Sequence, residues 1–148
     1  MSRIVEKLRE ARATGDFAAL ADMIPYHAFL GFSVEKRDGE LLGVMRYADH
    51  LVGNFTLPAL HGGTIGALLE STAVFQALWS AQTLLLPKTI TITVDYLRPA
   101  RPVDTWARAT VTRQGRRVVN VHVEAFQEDP ARPVATANVL FLVKAEEG

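Results

Sequence analysis

Between His50 and Pro87 the sequence carries one formally charged residue, Glu70. Gly63-Thr64-Ile65-Gly66-Ala67-Leu68-Leu69 precede it and Ser71-Thr72-Ala73-Val74-Phe75-Gln76-Ala77 follow it. Glutamate is almost never fully buried without a partner. On a helix its neighbours at spacings of three and four are Gly66, Ala67, Ala73 and Val74, and Gly63 and Ala77 continue the stripe. Such small residues let a second backbone or a ligand approach closely. Two explanations compete. A structural glutamate would have a cationic partner or sit at a solvent gap. A functional one would be held in a largely apolar site, where desolvation raises its pKa and suits it to act as general base or nucleophile.

His61-Gly62-Gly63 adds a second chemical feature at the start of the same helix. The first N–H groups of a helix lack internal acceptors and carry the positive end of its dipole. Two glycines let a substrate oxygen come close, which suits a developing oxyanion. Glu70 follows Gly63 by two helical turns, on the same face. His61 would orient the carbonyl or the loop, or simply cap the helix. His27, His50 and His122 show no metal-ligand spacing and read as structural or surface residues, so no metal is expected. Neither a P-loop nor a Gly-rich dinucleotide fingerprint is present.

Arginines cluster further on. Arg98, Arg101, Arg108, Arg113, Arg116 and Arg117 fall close together, opposed in that stretch only by Asp104. They are either solvated strand ends or contacts for phosphate, which guanidinium binds bidentately.

These residues must be positioned by a chain of 148 residues, about one domain. Its 49% hydrophobic and 22% charged composition suits a folded protein. Sixteen Lys+Arg balance sixteen Asp+Glu, without the basic excess of a non-specific nucleic-acid binder. The absence of cysteine excludes a disulfide scaffold and a thiolate metal site. Net neutrality also removes one usual defence against self-association. No segment reads as a signal peptide or membrane span, so a cytoplasmic location is expected.

Periodicity predicts an amphipathic helix over Ile4 to Ala13. A second short helix, capped by Asp16, is expected from Phe17 to Ile24 and stopped by Pro25. Phe32 to Arg37 and Glu40 to Tyr47 form a hairpin about Asp38-Gly39. Asp49 to Leu60 reads as loop, and a long helix runs from Thr64 to about Leu84. Four strands follow, over Thr89 to Leu97, Val103 to Arg113, Val118 to Glu128 and Val134 to Val143. In the first, Thr89, Thr91 and Thr93 share one face and Ile90, Ile92 and Val94 the other. Short links predict antiparallel pairing of each strand with the next. The class is α+β, with a curved antiparallel sheet covering nearly every side of the long apolar helix.

His61-Gly62-Gly63 with Glu70, the strand Val94-Asp95-Tyr96-Leu97-Arg98-Pro99-Ala100, the Gly115-Arg116 turn and the strand Ala135-Thr136-Ala137-Asn138-Val139-Leu140-Phe141 resemble the hotdog-fold acyl-CoA thioesterases, in their phenylacetate-degradation-type branch. The resemblance covers roughly Gly31 to Val143. It implies one hotdog domain over 1–148, with an N-terminal helical extension over 1–30 and the core over 31–143. It also implies a homodimer or a dimer of dimers, with sites at the interface. The family's helix acid falls on Glu70 and its carbonyl-polarising amide on Gly63, with Gly62 beside it. Its loop asparagine falls on Asn54, and a hydroxyl supplied by the partner subunit falls on Thr89. Arg113, Arg116 and Arg117 match positions that meet the nucleotide end of coenzyme A.

The expected reaction is hydrolysis of an acyl-CoA thioester to acid and thiol. Coenzyme A enters as part of the substrate and no other cofactor is needed. Glu70 either activates water or attacks to give a mixed anhydride. Two alternatives stand beside this: a hotdog enoyl-CoA hydratase or dehydratase, and a non-catalytic acyl-CoA binder.

Overall fold

The computed structural model describes residues 3–80 and 86–143. α1 (Arg3–Thr14) buries Leu8 and Ala11. α2 spans Ala18–Asp22 with Phe17 at its N-cap, and Asp16, one residue earlier than a cap, accepts the Ala18 N–H on Oδ1 at 3.0 Å. Pro25 does more than stop that helix: it opens a further one, α3 (Pro25–Leu30), which ends at Gly31 with φ 70°. Proline suits a first helical turn, where its missing N–H is not needed.

β1 (Phe32–Arg37) and β2 (Glu40–Met45) form the expected hairpin. Asp38 and Gly39 both have positive φ, 51° and 77°, as a two-residue turn of this hand requires. The predicted loop 49–60 contains a 3-10 turn at Asp49–Leu51 and a small ladder of β3 (Val52–Asn54) with β4 (Ala59–Leu60).

α4 runs from Gly62 to Ser80, starting two residues ahead of the expected Thr64. The predicted end near Leu84 lies outside the described residues. α4 packs across β2, β6 (Thr105–Gln114), β7 (Val118–Phe126) and β8 (Ala135–Leu142). Its approach to β2 depends on Gly43, where a Cβ would stand 2.0 Å from Thr72 Oγ1. Leu68, Leu69 and Phe75 of the helix and Phe141 of β8 are fully buried, each worth roughly 1.5–3 kcal/mol by transfer from water.

The sheet is antiparallel, in the order β1-β2-β6-β7-β8-β5, with β5 spanning Lys88–Tyr96. This is the α+β hotdog arrangement, a long helix held against a large antiparallel sheet. Pairing differs from expectation at one place. β6–β7 and β7–β8 pair in sequence, but β5 pairs with β8 and lies at the edge. The link from β5 to β6 is no hairpin turn. It contains Pro99 and Pro102, which cannot donate to a ladder, and Ala100 O accepts the Leu60 N–H at 2.9 Å.

The face pattern of β5 also departs from simple alternation. Thr89 lies opposite Phe141, whereas Thr91 lies opposite Leu140, so Ile90 is an extra, bulged residue. Directly paired residues share a face. Thr89 therefore shares the inner face with buried Phe141, while Thr91 and Thr93 face outward.

The N-terminal helices pack on the body. Phe17 meets Phe75 and Trp79, and His27 meets Phe32 and Phe75. Burial lowers the His27 pKa, and its Nδ1–H donates to Ala21 O at 2.8 Å. Among the described residues no helix is long and apolar enough to cross a membrane.

Candidate active site

α4 is not covered on every side. Gly63, Gly66, Ala67, Glu70, Ser71 and Val74 retain exposure, while Ala73 and Ala77 are buried. The small-residue stripe thus divides: part enters the core, and part leaves an open strip with Glu70 at its middle. Glu70 is half-buried, with no ion pair or hydrogen bond among the described residues. No ion pair among the described residues accounts for it.

The N-terminus of α4 is built by His61. Its carbonyl accepts from Thr64 N at 3.0 Å and Thr64 Oγ1 at 2.6 Å. Its ring Nδ1 accepts the Gly63 N–H at 2.8 Å. An accepting Nδ1 puts the proton of the neutral ring on Nε2. The capping role is thus realised, and the Gly63 amide expected to polarise a carbonyl is held by the ring. Gly62 supplies the adjacent first-turn N–H, which has no intrahelical acceptor.

Two residues that sequence reasoning did not single out shape this end. Gly53 of β3 lies against His61, since a Cβ there would stand 2.6 Å from His61 Cα. Tyr96 of β5 donates from its hydroxyl to Gly62 O at 2.7 Å. Cβ atoms at Gly62 and Gly66 would lie 3.3 and 3.6 Å from Tyr96 atoms. Glycines one helical turn apart signalled a close neighbour; its identity came only with the strand order. An apolar hollow of about 370 Å³ opens beside them, walled by Leu60, Gly62, Ile65, Tyr96 and Leu97.

Asn54 pairs across the small ladder with Ala59, close to His61 in the chain. Its side-chain oxygen accepts the Thr56 and Leu57 N–H groups at 3.0 and 3.3 Å, so that end of the amide holds the turn. Thr89 is exposed on the edge strand. The Arg98–Arg117 run divides. Arg98 donates to Pro133 O, Arg101 pairs with Glu128, and Arg108 pairs with Glu40. Arg113, Arg116 and Arg117 have no carboxylate partner among the described residues. They line a hollow of about 460 Å³ at the β6–β7 turn. A bulge at Thr112 sets Arg113 opposite Asn120 and turns it to that side. This hollow shares no residue with the one beside α4. Among the described residues, no His, Asp or Glu cluster could hold a metal.

The fold, a long helix held against a large antiparallel sheet, is that of the hotdog proteins. The chain belongs to the thioesterase superfamily, whose sequence model matches residues 57–134, and it is a thioester hydrolase. The medium/long-chain acyl-CoA thioesterase YigI of Escherichia coli is 28% identical over 134 residues, covering 81% of this chain and 86% of that protein. A solved structure from Chromobacterium violaceum has a TM-score of 0.76 at 35% identity, covering 96% of this chain and 99% of that one. A phenylacetic acid degradation-related protein from Ralstonia eutropha JMP134 has a TM-score of 0.70 at 27% identity, covering 81% and 91%.

Proposed function

We propose that the chain hydrolyses an acyl-CoA or closely related thioester to a free acid and a thiol. The observation that carries this is Glu70, a half-buried carboxylate on the open strip of α4 with no partner among the described residues. The thioester oxygen sits at the N-terminus of α4 beside the Gly62 and Gly63 amides. His61 turns aside from the Gly63 amide or shares it, and its Nε2–H faces the substrate. Asn54 shapes the adjoining turn, and the NH2 end of its amide faces the same oxygen or the leaving sulfur.

Glu70 takes a proton from water as the water oxygen bonds to the carbonyl carbon. The C–S bond then breaks and the thiolate leaves, taking up a proton. In the other route Glu70 itself forms the bond to carbon, the thiolate leaves, and water opens the mixed anhydride. Arg113, Arg116 and Arg117 take the phosphates of the nucleotide end. YigI supports a coenzyme A substrate, being described as a medium/long-chain acyl-CoA thioesterase.

The working unit in this reading is a homodimer or a dimer of dimers. β5 is an exposed edge strand with Ile90 and Tyr96 open to solvent, as is Leu97 just past its end, and α4 keeps one open strip. A second copy covering both would bring its Thr89 near Glu70.

A panel of aryl, short, medium and long acyl-CoA substrates, read by thiol release, tests the reading. Wild type is expected to hydrolyse at least one class. Glu70→Gln is expected to lose about 10²-fold, the scale of one acid–base group. Unchanged hydrolysis in that variant would overturn the assignment.

A further inference from the structure

The far end of α4 carries a second concave site with different chemistry. Trp79, in the last described turn of α4, lies against Phe17 with ring centroids 5.3 Å apart. The Lys36 ammonium stands 4.3 Å from a Trp79 ring centroid. Arg12, in the last turn of α1, donates from Nη2 to Leu78 O at 2.6 Å. Its Nε is a buried atom with no acceptor among the described residues. With Gly15 these groups enclose a hollow of about 440 Å³, within the roughly 300–1,000 Å³ of small-molecule sites. Gly15 has φ +76°, and a Cβ there would come within 2.9 Å of Lys36 Nζ. Its missing side chain leaves the ammonium room over the indole.

The charges do not cancel. Neither Arg12 nor Lys36 pairs with a carboxylate among the described residues. The C-terminus of α1 contributes about half a negative charge, so the hollow keeps a net positive charge. A guanidinium and an ammonium that share a hollow without a carboxylate favour an anionic oxygen between them. A neutral aromatic molecule would leave both cations without a counter-charge. Phosphate would leave the aromatic wall unused.

We propose that this hollow binds a monocarboxylate with an aryl or alkyl body. The carboxylate lies between Arg12 and Lys36, and the body lies along Trp79 and Phe17. The hollow is lined neither by Glu70, from which Trp79 stands about 13 Å along the helix, nor by any residue of the α4 N-terminus, so it is a separate site. Its ligand class is that of the acid released by thioester hydrolysis, so its occupancy would report product; the binding itself does not depend on that reaction.

Trp79 is the lone tryptophan in Trp106→Phe protein, and its emission reads the site directly. Sodium octanoate and sodium benzoate are titrated beside 1-octanol, benzamide and inorganic phosphate. Each carboxylate is expected to give a saturable change. The midpoint rises about tenfold in Lys36→Met, the scale of one charge-assisted hydrogen bond, and similarly in Arg12→Met where that variant keeps its melting temperature. Adding Glu70→Gln leaves the curves unchanged. No saturable change, a midpoint unmoved by Lys36→Met, binding lost with Glu70→Gln, or a neutral analogue or phosphate matching the carboxylates would each overturn the proposal.

Discussion

Arginines on the β1–β2 side of the sheet pair with carboxylates; the charges beside α4 and at the β6–β7 turn do not among the described residues. Arg46 spans Glu35 at 2.8 Å and Asp104 at 3.0 Å. Arg108 meets Glu40, and Arg37 and Arg46 stand 4.1 and 5.3 Å from a Trp106 ring centroid. Glu70, Arg113, Arg116 and Arg117 have no such partners among the described residues. The difference lies in position rather than residue type. Arg108 and Arg113 belong to the same strand, but Arg108 sits where β2 brings Glu40 within reach, and Arg113 sits past the Thr112 bulge at the end of the ladder. Exposed pairs are worth only about 0–1 kcal/mol each. Pairing therefore matters here chiefly because it leaves no charge for a ligand, and its absence leaves one.

The sharpest break between the two regions is in what Glu70→Gln does to stability. With no partner among the described residues, Glu70 contributes no ion pair there to folding, so the variant that loses about 10²-fold in turnover should melt no lower than wild type. A drop of several degrees by differential scanning calorimetry, with hydrolysis intact, would place Glu70 among the structural charges instead.

A smaller effect is expected at the β6–β7 turn. Arg116→Ala with Arg117→Ala should raise KM for an acyl-CoA about tenfold, the lower scale of lost charge-assisted hydrogen bonds. kcat should hold, and KM for a short thioester lacking the nucleotide should not move. Arg101→Ala, which removes a pair with Glu128, should change neither constant. Equal losses with both substrates would deny the turn its phosphate role.

Much of this division was open to sequence reasoning and part was not. Glu70 stood out because an uncharged run makes a lone charge visible. The β1–β2 hairpin stood out because Asp38-Gly39 has few other uses. The order of β5 did not, because chain neighbours are only the default partners and the link through Pro99 and Pro102 carries no signal of where it lands. The face of Thr89 was missed for a related reason: a bulge at Ile90 inverts the alternation, and nothing local in Lys88-Thr89-Ile90-Thr91 marks it. Nor does any local pattern tell a paired arginine from an unpaired one, since Glu40 and Arg108 meet only through the β2–β6 register.

His27 offers a third test, at a buried group kept neutral. Burial holds its folded pKa below the unfolded value of about 6.5. The unfolded chain therefore binds the proton more readily. Stability is full above about pH 6.5 and declines as pH falls below it. Denaturant unfolding from pH 7.5 to 5 should show this slope, and His27→Gln should flatten it.

The smallest effect is expected at Asp104, on the paired side. The Tyr47 N–H bonded to it at 2.7 Å is the main cause holding its carboxyl below the ordinary range. Desolvation opposes this, and Arg46 adds to the lowering. A depressed folded pKa means the contribution is present above the unfolded pKa of about 3.9 and is lost as pH falls through the folded value. The Asp104 side chain is 43% exposed, so solvent screening limits the effect. Asp104→Asn keeps an oxygen for Tyr47 N–H and removes only the charge facing Arg46. It should cost about 1 kcal/mol or less at neutral pH and reduce the acid dependence below about pH 4, with kcat and KM unchanged. A change in KM comparable to that of the Arg116/Arg117 variant would show that the paired charges also reach the substrate, and the contrast between the two regions would fail.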